Sequence, residues 1–231
     1  MKHSFLKIIF LLFLASCCCQ KKASFYSKKC LPDVSGKNNC LAFYKNYELP
    51  KYQVQQVINE EIEIRYYQPR LVAEVSVSGT RKEAVKNGFR TLASYIFGNN
   101  VSKSSIEMTS PVIQQNSQKI DMTSPVNQVK QAPNQWLVQF GMPHYFTLDA
   151  LPRPKNTNIV LRVVPAQKNA VISFSGSWSD EKFAVHLQEL QKYLIKNDLS
   201  TIAEPSFAYY DDPFTFPWNR KNEIIWQIQE K

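Results

Sequence analysis

The sequence predicts an α+β fold in which two amphipathic helices lie on an antiparallel sheet of about eight strands, curved toward a distorted barrel. Three observations support this. Two segments repeat apolar residues at helical spacing, and each follows a cap signal. Short apolar runs with strand alternation surround both helices, with prolines between them. The order strands, helix, strands then occurs twice, with Thr80 and Ser179 opening their helices 99 positions apart. Each half alone would leave an open sheet face, so one domain built from two similar halves is expected rather than two domains.

Thr80 and Glu83 form a capping-box pattern, and Val85, Phe89, Leu92 and Ile96 follow at i, i+4, i+7 and i+11 before Gly98 stops the helix. The second helix begins near Ser179 and carries Phe183, Leu187, Leu190 and Leu194. One apolar stripe per helix means that each lies on something. Strand character appears at Ile62–Tyr66, Leu71–Val77, Trp136–Phe140, Ile159–Val164, Val171–Phe174 and Ile224–Ile228. Pro69, Pro143, Pro152, Pro154, Pro165, Pro205, Pro213 and Pro217 punctuate the turns.

The N-terminus bears on the compartment. Lys2, His3 and Lys7 precede an apolar run, Ile8–Ala15, of eight residues. That is a charged n-region with a short h-region, well under the roughly 20 residues a membrane-spanning helix needs. The run ends in Leu14-Ala15-Ser16-Cys17, which resembles the bacterial lipobox, so residues 1–16 read as a signal peptide and Cys17 as the lipidated residue. Cys18 rather than Asp follows it, which implies an outer-membrane lipoprotein facing the periplasm if the host is Gram-negative. Residues 17–45 read as a polar tether and 46–231 as the folded domain. In an oxidising compartment Cys30 and Cys40 favour a disulfide over a metal site, because no second cysteine pair or nearby histidine completes a ligand set.

Composition narrows function by exclusion. The chain has 231 residues, a formal net charge of +9 and only 6 glycines, with no Gly-x-Gly-x-x-Gly or Walker pattern. No Gly-x-Ser-x-Gly elbow or His-Glu-x-x-His occurs, and only His144 and His186 would survive signal removal. The acid pairs Glu60-Glu61 and Asp211-Asp212 are adjacent, so on strands their side chains would point to opposite faces. An enzyme is not expected, nor is a nucleic-acid partner. The positive charge suits an anionic ligand or membrane surface.

A short repeat is sharper than the long one. Ile106-Glu107-Met108-Thr109-Ser110-Pro111-Val112 recurs fourteen residues later as Ile120-Asp121-Met122-Thr123-Ser124-Pro125-Val126. In an extended chain Ile, Met, Ser and Val face one way, so the repeat is expected to line the sheet, with a hairpin loop between copies. The proline in each copy implies a strand end or edge. Met108 or Met122 as a thioether ligand is the less favoured account.

With that repeat in view, the sequence from about Tyr47 to Ile228 resembles the SOUL haem-binding proteins. The resemblance is carried by Ile62-Glu63-Ile64-Arg65-Tyr66-Tyr67-Gln68-Pro69, by Gly88–Gly98, by both Met-Thr-Ser-Pro-Val copies, and by Pro152-Arg153-Pro154 and Phe174-Ser175-Gly176. The tail Tyr209–Pro213 through Trp218–Ile224 belongs with them. It implies a distorted eight-stranded barrel with two flanking helices, and non-catalytic binding of haem or a related tetrapyrrole. The ligand would lie beside the first helix. Phe89, Ala93 and Phe97, with Ile96, would form an apolar wall, and Lys86 and Arg90 would pair with the propionates. A C-terminal loop with Phe214, Phe216, Trp218 and Arg220 would close over the ring. Some members have a proposed ligand histidine where this chain has Tyr66, which leaves Tyr66 as the candidate metal ligand or, as a strand residue, part of the sheet packing. The competing expectation is an envelope module for other amphipathic small molecules, with haem an incidental guest.

Overall fold

The computed structural model describes residues 26–32, 38–102 and 117–229, which group into two units, one ending at Leu49 and one beginning at Pro50. The lipobox, including Cys17, and the first copy of the short repeat, including Met108, lie outside the described residues. In the first unit, β1 (Tyr26–Pro32), β2 (Asn38–Tyr44) and β3 (Tyr47–Glu48) form an antiparallel sheet in that order. Cys30 and Cys40 stand opposite each other in the β1–β2 register and are disulfide-bonded. The stretch expected as a polar tether therefore contains two strands within its described part. Neither shows a sustained hydrophobic alternation, and a covalent cross-link holds their register.

The second unit contains β4 (Tyr52–Val57), β5 (Ile62–Tyr67), β6 (Arg70–Ser78), α1 (Arg81–Ile96), β7 (Asn100–Val101), β8 (Val126–Ala132) and β9 (Gln135–Gly141). It continues with β10 (Arg153–Pro154), β11 (Ile159–Val164), β12 (Gln167–Phe174), α2 (Asp180–Lys196), β13 (Ser206–Tyr209) and β14 (Asn222–Gln227). Nine of these strands form one antiparallel sheet, ordered β11-β6-β9-β8-β13-β14-β12-β5-β4, strongly curled into a half-barrel. The expected α+β fold is what the chain adopts. The ninth strand is β4, an edge strand whose residues after Tyr52 are exposed.

The strand order shows how the two halves combine. Leaving out β4, it maps onto itself when β5 exchanges with β11, β6 with β12, β8 with β13 and β9 with β14. β5 pairs with β12, and β11 pairs with β6, so each half lends its first strand to the other's sheet. Neither half could keep its ladder without the other, which is why the duplication yields a single unit.

The helices cover one face of this sheet. α1 packs on β6 and β9, and α2 on β12 and β14. Around α2, the core joins Ile62, Ile64, Ile172, Phe174, Phe183, Leu190, Leu194 and Ile224. Around α1, it joins Val75, Leu92, Tyr95, Ile96, Val138, Phe140 and Met142. Arg81, the first residue of α1, braces the two helix starts. Its Nε donates to Asp180 at 2.6 Å, its Nη1 to the Tyr209 hydroxyl at 2.6 Å and its Nη2 to the Trp178 carbonyl at 2.7 Å. Its guanidinium lies 4.6 Å from the Phe183 ring centre.

The second copy of the short repeat leads into β8. Its Ile120 donates a backbone hydrogen bond to the Ile96 carbonyl at the end of α1, and Ile120 and Ser124 are buried as the alternation requires. Met122 packs against the core around α1, so this copy lines the structure as expected. The loop expected between the two copies lies largely outside the described residues.

Candidate functional site

α1 begins as its sequence indicates. The Thr80 hydroxyl accepts from the Glu83 backbone, and the Glu83 carboxylate accepts from the Thr80 backbone, completing the capping box. These bonds from Thr80 hold the Glu83 carboxyl below its ordinary value. At the other end the Asn99 amide donates to the Ser94 carbonyl and the Gly98 amide to Tyr95. That is a Schellman motif, and Gly98 supplies its left-handed φ of +113°.

The buried face of α1 is rotated from the expected stripe. Ala84, Gly88, Leu92 and Tyr95 face the sheet, while Phe89 stands at the margin with 39% of its surface exposed. The reason is the small residues, which let the helix approach β9 closely. A Cβ placed on Gly88 would stand 2.5 Å from Val138 Cγ2, far inside contact distance. Gly88→Ala is therefore expected to destabilise the protein by about 1–3 kcal/mol through overpacking and to push α1 outward. Chemical denaturation measures the loss, and an unchanged midpoint would contradict this packing.

The rotation frees a flank. Phe89, Ala93 and Phe97 recur every four residues along one side of the helix, about 12 Å from first to last. Phe97 is 62% exposed, Ala93 is buried, and Phe89 meets Phe140 edge-on with ring centres 5.3 Å apart. Lys86 and Arg90, also four apart, are exposed in the adjoining row. The structure thus brings five predicted residues to one flank, with Phe89 and Phe97 exposed on either side of the buried Ala93 and two cations beside them. A planar, apolar, dianionic molecule fits that chemistry: the flank offers a surface for the ring and the cations offer partners for its carboxylates. This group contains no histidine, cysteine, methionine or tyrosine, the usual axial ligands of haem iron.

The remaining predicted residues stand elsewhere. Tyr66 is half-buried on β5 and in phase with Ile62 and Ile64, which places it on the α2 side of the sheet. The C-terminal loop is held by its own hydrogen bonds and by one cation–ring contact. Asp212 accepts from the Phe214 and Thr215 amides. Arg220 donates to the carbonyls of Thr215 and Pro213 and lies 4.4 Å from the Trp178 ring centre. Because Arg81 holds the Trp178 carbonyl, this anchors the loop near the start of α1, whereas Phe97 lies about 24 Å farther along the helix. Phe214 is 93% exposed, and Phe216 stacks on Trp218 with ring centres 4.8 Å apart. His144 is exposed in the turn after β9.

Sequence reasoning missed a polar network on the sheet face opposite the helices. Arg65 donates to Glu223 at 3.0 Å from both Nη1 and Nη2, and to Glu63 at 2.6 Å from Nε. Glu223 also accepts from Ser173 at 2.9 Å, from Lys221 at 2.9 Å and from the Tyr210 hydroxyl. Burial alone would raise the Glu223 carboxyl, but Arg65, Lys221 and Tyr210 overcome it and hold the group well below the usual carboxylate range. Burial drives Tyr210 well above a normal phenol, so it donates to Glu223 as the neutral hydroxyl. These mutually compensated groups tie β5, β12 and β14 together. The only hint in the sequence is that Arg65 and Glu223 sit in two of the motifs quoted above.

This architecture places the protein among duplicated α+β modules with a curled antiparallel sheet. Residues 47–227 match the SOUL heme-binding protein family, and the chain belongs to that family. No curated protein matches it. Among solved structures it is similar to the C-terminal domain of EcmrR, at 11% identity and a TM-score of 0.53, over 78% of this chain and 99% of that one. It is also similar to a hydrolase from Listeria innocua, at 14% identity and a TM-score of 0.50, over 75% of this chain and 94% of that one. At these identities the likeness shows the fold. Family membership supports tetrapyrrole binding as the family's general property.

Proposed function

We propose that this protein binds haem or a related tetrapyrrole, non-covalently and without catalysis, on the exposed flank of α1. The observation that carries the proposal is the exposure of Phe89 and Phe97 on the flank that also presents Lys86 and Arg90. Large apolar side chains in a row beside unburied cations suit an amphipathic anion better than bare solvent. The ring would rest on Phe89 and Phe97, across the buried Ala93, and the carboxylates would pair with Lys86 and Arg90. Held by contact rather than by an axial bond, the ligand would exchange readily. Tyr66, on the α2 side, would take no part in ligation. We further propose that the protein works in the cell envelope, anchored by lipid on Cys17, at the outer membrane facing the periplasm if the host is Gram-negative.

Absorbance titration of the purified chain with haem tests the reading. A saturable Soret shift with one haem per chain is expected, and Tyr66→Phe should leave the ferric spectrum unchanged. Non-saturable uptake, or equal binding of unrelated hydrophobic dyes, would favour a module for other amphipathic small molecules.

A further inference from the structure

The exposed edge of α2 carries a second group of side chains that tetrapyrrole binding does not use. Glu61, His186 and Glu189 place one ligand atom each within 4.8 Å of one another. His186 and Glu189 are three apart on α2, so they share a face of the helix. Glu61 comes from the turn before β5, where its carbonyl accepts from the Ser173 amide at 2.8 Å. That bond pins the turn beside Phe174, and the Phe174 ring in turn stacks on His186 at 4.0 Å between ring centres. The imidazole plane and the backbone carrying the opposing carboxylate are thus fixed by the same short segment of β12.

The histidine is the informative member. His186 is only 9% exposed, and both of its ring nitrogens are buried without a hydrogen-bond partner. Buried imidazole nitrogens are ordinarily satisfied, so two bare ones require an explanation. Nδ1 lies 3.6 Å from Glu189 Oε2, too far for a hydrogen bond. It is instead close to the spacing of about 3.4 Å that separates two ligands on one ion with bonds near 2.1 Å. Both carboxylates are exposed, and a side-chain rotation of either can close the rest of the distance. Lys182, one turn earlier on α2, is a nearby cation that acts on His186 against the two carboxylates.

We infer that Glu61, His186 and Glu189 form a binding site for a divalent transition-metal ion that clamps α2 to the turn between β4 and β5. One imidazole and two carboxylates form a mixed nitrogen and oxygen set, suited to Mn²⁺, Fe²⁺ or Zn²⁺, with water completing the coordination shell. The site is independent of the α1 flank, so it stands or falls separately from tetrapyrrole binding.

Mn²⁺ is the suitable probe, because Cys17, Cys18 and Cys19 would compete for thiophilic ions. Titrating the purified full-length chain while following the free-ion electron paramagnetic resonance signal should show saturable removal of one Mn²⁺ per chain. Glu61→Gln and Glu189→Gln, both at exposed positions that should leave the fold intact, are each expected to weaken uptake by at least about tenfold. His186→Gln should do the same, but it also disturbs the stacking on Phe174, so the glutamate variants decide the matter. No saturable uptake by the unaltered chain at millimolar Mn²⁺, or equal uptake by the chain and both glutamate variants, would overturn the assignment.

Discussion

Glu223→Ala is expected to lower the unfolding free energy at neutral pH by about 3–5 kcal/mol, the usual cost of leaving a buried charge without its partner. Glu223 is fully buried and Arg65 nearly so, and the alanine would strand the guanidinium with Glu63 as its sole carboxylate partner. Ser173, Tyr210 and Lys221 would each lose an acceptor as well. Replacing both Arg65 and Glu223 by apolar residues should cost less than the alanine alone, because no uncompensated charge then remains. Urea denaturation of the three proteins measures this, and equal stability of Glu223→Ala and the parent would contradict it. The pH dependence has a definite sign. The folded-state pKa of Glu223 is depressed, so its contribution is fully present above the unfolded value of about 4.3 and is lost as pH falls below it. The network lies on the sheet face opposite α1, so the folded fraction of the variant should bind haem as the parent does.

Lys86→Glu combined with Arg90→Glu is expected to weaken haem binding by at least about tenfold while leaving stability nearly unchanged. Both side chains are exposed, so their removal strands no partner in the core. Each pairing with a carboxylate is modest at the surface, but reversal replaces attraction by repulsion at two adjacent positions, and about 1.4 kcal/mol suffices for a factor of ten. Because the cations are exposed, parental affinity should fall with added salt and the variant's should respond less. Soret titrations at two ionic strengths check both statements. Unaltered affinity in the double variant would remove these cations from the site.

Much of the fold could be read from the chain, and the failures share a physical pattern. The caps of α1, the start of α2 and six strands were legible because they depend on local chemistry. The packing face of α1 was not, because Ala84 and Gly88 bury a helix by being small rather than apolar. β8 was missed because its inward residue is Gln128. That side chain is buried by donating to the Arg81 carbonyl and accepting from the Tyr209 hydroxyl, which no hydropathy pattern reveals. The exchange of β5 and β11 between halves depends on pairing between distant strands. For the site, the residues on α1 were legible because four-residue spacing fixes a helix flank. The position of the C-terminal loop was not, since it depends on Arg220 meeting Trp178 across the fold.

Central to this account is a ligand lying along the outer side of the first helix. Amide hydrogen exchange of the protein with and without haem tests it most directly. The expected result is slowed exchange and line broadening concentrated between Lys86 and Phe97, with the strands carrying Arg65 and Glu223 unaffected. Protection centred on those strands instead, with residues 86–97 unchanged, would contradict the account and place the ligand on the opposite face of the sheet.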